Sequence, residues 1–337
     1  MSVPVYIVAE IGNTHEGSVG LAKRFIRVAA DCGVSAVKFQ THLFEAESLP
    51  EAPNPPYFKE ESRKDYFQRT SFNLGHWKEL KRFAEEECAV DFFSSPFSED
   101  AVNLLEKVGV KTYKIPSGEV TNLPLLIKIA GTGKRVLLSS GMSTWAELDS
   151  AVDTLMKNGC SDLVLLQCTS EYPCQPERAG LNVIQEMKNR YGLPVGFSDH
   201  TLGVAVSLAA VCLGAHVIEK HFTLSKRMYG PDAQFSATPE EFQVLVESIR
   251  SVEKAMSAKL DKDAEADALE MMKMTFEKSI VAAKDIPTGK LIRVEDLAYK
   301  KPGDGIKAMH FREVVGRKLR AGVQKDTKLS WNMFAEE

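Results

Sequence analysis

Two lysines, Lys38 and Lys114, and two histidines, His200 and His221, lie at or just beyond the ends of short apolar segments that are far apart along the sequence. An ammonium group at such a position is costly to bury without a partner, so the two lysines predict a bound anion such as a phosphate or a carboxylate. Two imidazoles at one edge of a sheet are typical ligands of a divalent metal that keeps open positions for water and substrate oxygens.

Hydroxyl groups occupy similar positions in other segments, at Ser95, Ser117 and Ser139. Together with backbone N–H groups at the starts of the following helices, they would complete an anion cradle. A purely structural alternative pairs Lys38 and Lys114 with the carboxylates of Glu10 or Glu119. The absence of H-x-H and H-E-x-x-H motifs argues against a zinc hydrolase. Among the other histidines, His42 is predicted to lie in a loop or at the surface.

The segments that carry these residues are short apolar runs that alternate with amphipathic stretches. The runs are Val5–Ile11, Ala36–Gln40, Asp91–Ser94, Thr112–Ile115, Arg135–Ser139, Leu163–Gln167, Pro194–Phe197 and Val217–His221. The amphipathic stretches include Gly20–Cys32, Gly75–Glu87, Ser98–Val108, Thr144–Asn158, Leu181–Tyr191 and Pro239–Met256. This alternation predicts parallel strands joined by crossover helices. Eight such units match a (β/α)₈ TIM barrel; a doubly wound sheet competes, but its G-x-G-x-x-G turn is absent.

In a barrel of this kind, functional side chains cluster at the C-terminal ends of the strands. Side chains alternate between the two faces of a strand. On the second predicted strand, Val37 and Phe39 are therefore expected to pack on helices, while Lys38 and Gln40 point inward. This alternation predicts that the polar residues of several strands share one barrel mouth.

The barrel pattern is predicted to span 1–257, followed by a linker over 258–275 and a small C-terminal domain over 276–337. The linker is rich in Ala, Lys, Asp and Glu and is predicted to be partly helical. Short β-like runs, Ser279–Ala283 and Leu291–Arg293, indicate a β-rich fold after it. A domain of about 60 residues is marginally stable alone, so we expect it to dock against a larger body.

Composition restricts the class of protein. The chain has 337 residues, of which 44% are hydrophobic, and its 42 basic and 46 acidic residues give a net charge of −4. This balance disfavours a nucleic-acid-binding protein. No apolar run approaches the roughly 20 residues that span a bilayer, and the start lacks a secretory pattern, so we expect a cytoplasmic protein without membrane association. The six cysteines form no C-x-x-C pair, which is typical of reduced thiols.

Eight motifs, in order along the chain, resemble those of the sialic acid synthase family. They are Ala9–Gly17, Val37–Thr41, Tyr113–Glu119, Leu138–Met142, Gln167–Pro173, Ser198–Thr201, Glu219–Thr223 and Gly230–Asp232. The C-terminal segments Ser279–Lys284, Ile286–Gly289 and Lys301–Gly303 resemble the antifreeze-like (SAF) domain of that family. The resemblance covers the whole predicted barrel and the small domain after it.

The resemblance implies an N-acetylneuraminate synthase-type transferase. Such an enzyme condenses phosphoenolpyruvate with N-acetylmannosamine or a related N-acetylated amino sugar, breaks a C–O bond, and releases a nonulosonic acid and phosphate. The implied cofactor is a divalent metal ion, Mn²⁺ in the first place, with Mg²⁺ or Co²⁺ as alternatives. The implied assembly is a domain-swapped homodimer in which the small domain of one subunit covers the barrel of the other.

The resemblance also implies roles for individual residues. Phosphoenolpyruvate would be held by Lys38, Ser95, Lys114, Ser117, Ser139 and Ser170. The sugar would be held by Gln40, Glu119, Tyr172 and Asp232, with Lys301 standing where a bacterial sialic acid synthase has arginine. His200 and His221 would ligate the metal, and Glu10 would position a water on it. The residues expected to be catalytic are Glu10, Lys38, Lys114 and Glu119.

Three other functions remain open from the sequence. The protein could be a legionaminic or pseudaminic acid synthase that uses a di-N-acetylated hexose, a choice to which the loop Arg227–Phe235 would contribute. It could be a related synthase that uses an aldose phosphate, although no arginine cluster marks a second phosphate site. It could also be a non-enzymatic ice- or glycan-binding protein with an inert barrel, against which the intact lysines and histidines argue.

Overall fold

The computed structural model describes residues 3–335. The chain divides into two compact units, the first ending at Ala258 and the second beginning at Lys259. No helix within residues 3–335 is long and apolar enough to cross a membrane. All six cysteines are free thiols.

The first unit is a closed barrel of eight parallel strands, as the alternation of apolar runs predicted. The strands are β1 Tyr6–Gly12, β2 Ala36–Thr41, β3 Asp91–Pro96, β4 Thr112–Ile115, β5 Arg135–Ser139, β6 Leu163–Cys168, β7 Val195–Asp199 and β8 Val217–His221. Each strand pairs with its neighbours in chain order, and β1 closes the barrel by pairing with β8. The TIM-barrel fold is therefore confirmed.

Helices surround this barrel. They are α1 Val19–Asp31, α2 Phe44–Glu47, α3 Arg63–Thr70, α4 Leu74–Arg82, α5 Glu99–Val108, α6 Leu123–Ala130, α7 Trp145–Lys157, α8 Leu181–Tyr191, α9 Ala205–Cys212 and α10 Pro239–Ser257. Capping boxes start α7 at Thr144 and α10 at Thr238. In each, the threonine hydroxyl accepts from the backbone N–H of the glutamate three residues later, and that glutamate side chain accepts from the threonine N–H. Helix α9 carries little amphipathic signal because its sequence is apolar almost all round.

Two apolar layers hold the barrel together. The lower interior is filled by Val8, Ala36, Phe93, Leu137, Val164, Leu166 and Val217. The outer layer lies between strands and helices and includes Val37 and Phe39, as the alternation along β2 predicted. Because the interior core fills only part of the barrel, its C-terminal mouth is left to polar side chains.

The second unit has its own core. It contains the helices α11 Lys262–Ala268 and α12 Glu270–Phe276, an antiparallel pair of β9 Ser279–Ala282 with β10 Leu297–Lys300, and the short helix α13 Phe311–Val314. Its buried side chains are Ile280, Ala282, Ile286, Ile292, Leu297, Ile306, Val314, Leu319, Leu329 and Phe334. The predicted linker 258–275 thus contains α11 and most of α12.

His15 is a buried histidine in the loop after β1. Its ring is fully buried and stacks on Phe72 with the ring centroids 4.4 Å apart. Its Nδ1 accepts a hydrogen bond from the Gly17 N–H at 3.2 Å, so the ring is neutral with its proton on Nε2. Burial lowers the pKa of His15 to about 3.

This histidine makes the fold sensitive to acid. In the unfolded chain the ring has a pKa of about 6.5, so below that pH the unfolded state binds a proton that the folded state does not. The free energy of unfolding therefore decreases as the pH falls from about 6.5 to the pKa of the folded state. Between about pH 7 and about pH 5 the free energy of unfolding should fall by about 2 kcal/mol more in the wild type than in His15→Asn, which keeps an acceptor for Gly17. Urea unfolding followed by tryptophan fluorescence measures this, and equal losses in both proteins would contradict it.

Candidate active site

A cavity of about 490 Å³ opens at the C-terminal ends of the barrel strands. Eleven of the residues predicted to form a site line it: Glu10, Lys38, Gln40, Lys114, Ser117, Ser139, Ser170, Tyr172, His200, His221 and Asp232. They come from strands and loops spread over most of the barrel. The closed topology is what brings them together, since parallel strands present their C-terminal ends on one side.

Three predicted residues lie elsewhere. Ser95 is fully buried on β3 and accepts a hydrogen bond from the Lys38 ammonium at 3.3 Å, so it lies behind that lysine. Glu119 follows β4, accepts from the Asn122 side chain at 2.8 Å and lines a separate surface depression. Lys301 belongs to the second unit, where its ammonium lies 4.9 Å from the centroid of the Phe276 ring. The roles of these three residues stay predictions.

Four buried charges form the centre of the cavity. Lys38 pairs with Glu10 at 2.9 Å, which is the structural pairing considered from the sequence. Lys114 pairs at 2.6 Å with Glu219, a residue that was not considered as its partner, and not with Glu119. Glu219 also lies 3.6 Å from the Lys38 ammonium. Two ammonium groups and two carboxylates therefore share one buried network whose formal charge is zero.

The two carboxylates of this network differ in acidity. Burial would raise the pKa of Glu219, but the ammonium groups of Lys114 and Lys38 lower it to about 2. Burial raises the pKa of Glu10 above its usual value, and the Glu219 charge adds to this while Lys38 opposes it. Glu10 is therefore the carboxylate that accepts a proton more readily, and its protonation leaves the network with one net positive charge.

A pocket of hydroxyl groups lies at the cavity wall around Gly141. The Gly141 N–H donates to the Ser117 hydroxyl at 2.9 Å. A Cβ at position 141 would lie 2.5 Å from the Ser170 hydroxyl oxygen and 2.7 Å from that of Ser117, so only glycine leaves this space open. The Ser139 hydroxyl is buried and has no hydrogen-bond partner among residues 3–335. With the two lysines, these groups form a cradle suited to an anion.

His200 and His221 stand side by side at the mouth, with ring centroids 5.5 Å apart. His200 places Nδ1 2.8 Å from the Thr169 carbonyl oxygen, which leaves Nε2 as its free lone pair. His221 has a buried Nδ1 without a hydrogen-bond partner in the described part of the chain. Its closest carboxylate oxygen, on Asp232, is 3.8 Å away. Burial lowers the pKa of His221 well below its usual value, so the ring is neutral, as a metal ligand must be.

These donors fit a divalent ion with an incomplete protein shell. Among residues 3–335, no three His, Cys, Asp or Glu side chains are arranged to hold a metal. An ion at His200 and His221 would therefore take its other ligands from water or substrate, which is typical of catalytic rather than structural sites. The buried nitrogen of His221 supports this fit, because a buried polar atom normally has a partner.

A second buried pair holds the two histidines in place. The Lys220 ammonium donates to Asp199 at 2.8 Å and to the Thr201 carbonyl at 2.6 Å. Asp199 also accepts from the Thr201 N–H at 2.8 Å. Since Asp199 precedes His200 and Lys220 precedes His221, this pair ties the ends of β7 and β8 together.

One cavity residue, predicted to lie in a loop or at the surface, lies in the loop after β2 but is not exposed. His42 is buried rather than at the surface. Its ring is stacked on those of Phe67 and Phe97, with ring centroids 3.7 and 4.0 Å apart. The signal that could have revealed it is the alternation along β2, which continues inward from Lys38 through Gln40 to position 42.

Taken together, the fold and the site define a barrel enzyme whose mouth combines a cradle suited to an anion with two neighbouring histidines that could hold a metal ion. The chain matches the NeuB family over residues 25–261 and the SAF domain over residues 277–335. It belongs to the NeuB family.

Named relatives span several products. The chain is 40% identical to an N,N'-diacetyllegionaminic acid synthase of Campylobacter jejuni, over 95% of this chain and 97% of that one. It is 35% identical to the human N-acetylneuraminate-9-phosphate synthase, over 96% of this chain and 90% of that one. Among solved structures it resembles the N-acetylneuraminic acid synthetase of Leptospira borgpetersenii, with a TM-score of 0.69 and 33% identity over 80% of this chain and 91% of that one.

Removing one partner of the buried charge network should destabilise the barrel. Glu219→Gln leaves the Lys114 ammonium without its carboxylate, so the free energy of unfolding should fall by about 3 kcal/mol. Glu119→Gln is the matched control, because that carboxyl group is only partly buried and its hydrogen bond to Asn122 can be kept. Urea unfolding measures both variants, and an equally small effect of the two would contradict the network's structural role.

Proposed function

We propose that this protein is a nonulosonic acid synthase. It condenses phosphoenolpyruvate with N-acetylmannosamine or a related N-acetylated amino sugar and releases a nine-carbon 2-keto acid of the N-acetylneuraminate type and phosphate. The observation that carries the proposal is that one cavity holds both lysines and both histidines. Membership of the NeuB family supports it, because named relatives are synthases of acids of this kind.

The anion cradle is the proposed site for phosphoenolpyruvate. Its phosphate and carboxylate would replace carboxylates as partners of the Lys38 and Lys114 ammonium groups. The unpartnered Ser139 hydroxyl and the Ser117 and Ser170 hydroxyls around Gly141 supply donors that charged oxygens require.

We propose a divalent metal ion, Mn²⁺ in the first place, as the cofactor held by His200 and His221. When bound, it supplies a Lewis acid that polarises the open-chain aldehyde of the sugar. The Asp199–Lys220 pair keeps both imidazoles at the mouth during turnover. The Thr169 carbonyl accepts from Nδ1 of His200 and so favours the tautomer with its proton on Nδ1, which leaves Nε2 free for the ion.

In the proposed reaction the enol carbon of phosphoenolpyruvate forms a bond to the aldehyde carbon, the π bond of the aldehyde opens, and its oxygen takes up a proton to become a hydroxyl group. Water then adds to the cationic carbon that carries the phosphate, and Glu10 accepts the proton of that water, a role for which its raised pKa suits it. Collapse of the tetrahedral intermediate breaks the C–O bond and releases phosphate, whose charge the Lys38 and Lys114 ammonium groups stabilise.

The sugar is proposed to lie above the charge network. Gln40, Tyr172 and Asp232 face this part of the cavity, and the aromatic side chains of Tyr57 and Phe58 line its wall. Burial and the nearby Glu10 raise the pKa of Asp232 to about 6, so this side chain can accept or donate a hydrogen bond to a hydroxyl group. A second candidate is a di-N-acetylated hexose, favoured by the 40% identity to a diacetyllegionaminic acid synthase.

We also propose a cytoplasmic, domain-swapped homodimer. In it, the small domain of one subunit covers the barrel of the other, and the partner subunit's Lys301 would reach the sugar. The small size of the second unit supports this, because such a domain gains stability from a larger body.

The proposed function is tested with phosphoenolpyruvate that carries ¹⁸O in the bridging position. With Mn²⁺ and N-acetylmannosamine, its 6-phosphate or a di-N-acetylated hexose as acceptor, phosphate should be released and should retain the label, because the C–O bond breaks. Mass spectrometry of phosphate and of the keto acid decides between acceptors. Failure of every acceptor would contradict the proposal and favour an inert barrel.

Replacing a proposed metal ligand should abolish metal-dependent turnover without unfolding the protein. His200→Ala and His221→Ala should each lower kcat/KM by more than about 100-fold and weaken Mn²⁺ binding, measured by electron paramagnetic resonance. His76→Ala, on α4 outside the cavity, is the matched control and should bind Mn²⁺ normally. Unchanged Mn²⁺ affinity in both cavity variants would show that the ion binds elsewhere.

The cradle depends on the missing side chain of Gly141. Gly141→Ala should lower kcat/KM for phosphoenolpyruvate by about 100-fold, because the new methyl group occupies the space between Ser170 and Ser117. Gly118→Ala is the control, since its Cβ would meet only the end of the Met142 side chain at 3.8 Å. Equal steady-state constants for the two variants would place the anion outside this pocket.

A further inference from the structure

A chain of buried hydrogen bonds connects His42 to the cavity. The His42 Nδ1 lies 2.7 Å from a Glu47 carboxylate oxygen, and its Nε2 lies 3.1 Å from the Gln40 amide oxygen. The Gln40 amide nitrogen in turn donates to a Glu10 carboxylate oxygen at 2.9 Å. The side chains of His42 and Glu47 are only 7% and 6% exposed, so water does not compete for these bonds.

The two ends of this chain fix its direction. Glu10 forms an ion pair with the Lys38 ammonium, and its other carboxylate oxygen accepts from the amide nitrogen of Gln40 at 2.9 Å. The amide oxygen of Gln40 must then face His42, which therefore donates from Nε2. The other ring nitrogen, Nδ1, faces the Glu47 carboxylate, so both ring nitrogens of His42 face acceptor oxygens.

The position of the His42 ring is set by packing as well as by hydrogen bonds. Phe67 and Phe97 stack on the ring, with centroid distances of 3.7 and 4.0 Å, and hold its plane. The ring can neither tilt away from Gln40 nor exchange its partner, because Glu47 holds the opposite nitrogen. A side chain that is fixed in this way can impose one orientation on its neighbour.

We propose that His42 is a positioning residue that fixes the side-chain amide of Gln40 so that one N–H of this amide faces the substrate. The amide oxygen is taken by His42 and one N–H by Glu10, so the donor left for a ligand is the second N–H. The chemical group bound there is a hydrogen-bond acceptor, such as a hydroxyl oxygen or an acyl carbonyl of the sugar. This inference rests on the proposed function, in which Gln40 contacts the acceptor sugar.

The surroundings of Gly12 show where that group would lie. A Cβ built at Gly12 would be 3.6 Å from the Gln40 amide nitrogen, 3.5 Å from a Glu10 oxygen and 3.2 Å from an Asp232 oxygen. The three side chains thus converge over a residue without a side chain. A sugar oxygen above Gly12 would receive the Gln40 N–H while Asp232 and Glu10 contact neighbouring atoms.

The test compares two substitutions of His42. His42→Phe can occupy the space between the aromatic rings but cannot donate to Gln40, and it should raise KM for the sugar about tenfold while leaving KM for phosphoenolpyruvate unchanged. His42→Gln keeps an N–H donor and should recover part of the sugar KM. Thermal unfolding of each variant shows whether the fold is kept.

A double variant separates positioning from a general structural effect. If His42 acts through Gln40, then His42→Phe should have no further effect on the sugar KM in a Gln40→Ala background. Additive effects, or an equal rise in KM for both substrates, would overturn the inference. Wild-type turnover is measured first, and its absence with every acceptor overturns the proposed function and this inference together. If the wild type is active but the effects of the two substitutions on the sugar KM are additive, only this inference is overturned.

Independent evidence comes from nitrogen NMR of protein labelled with ¹⁵N-histidine. The His42 resonances, assigned by their loss in His42→Phe, should show a proton on Nε2 in the ligand-free protein. An unprotonated Nε2 would accept a hydrogen bond from Gln40, reverse the orientation of its amide and contradict the inference even in an active enzyme.

Discussion

The site depends on burying two ammonium groups, Lys38 and Lys114, at the mouth of a barrel. Neither could remain charged there alone, because the cost of removing an isolated charge from water exceeds what packing returns. Glu10 and Glu219 supply the opposite charges at 2.9 and 2.6 Å. The same charge balance explains how a ligand can bind. An anion that pairs with the two ammonium groups replaces the carboxylate oxygens of Glu10 and Glu219 by its own negative oxygens.

The two halves of the site are held by different means. The anion half is built from side chains that contact one another, with space reserved by the absent side chain of Gly141. The metal half is built from two rings whose strand ends are joined by the buried Asp199–Lys220 pair. Lys38, Lys114 and His221 lie on barrel strands and His200 directly follows β7, so the strand register sets the separation of these four residues.

The sequence predicted the elements of the fold well because each carries a local signal. The eight strands are apolar runs, and the alternation along β2 correctly turned Lys38 and Gln40 inward. The sequence did not identify Glu219 as the partner of Lys114, because 105 residues separate them and only the closed barrel brings them together. It also missed the buried position of His42, since the aromatic rings around it come from two other segments.

The central claim is that Lys38, Lys114, His200 and His221 serve one reaction in one cavity. Anomalous X-ray diffraction from crystals grown with Mn²⁺ and phosphoenolpyruvate tests it most directly. The account predicts a manganese peak bonded to the two imidazoles and, in the same cavity, phosphoenolpyruvate whose charged oxygens contact the two ammonium groups. A metal peak away from the histidines, or phosphoenolpyruvate bound outside the barrel mouth, would contradict it.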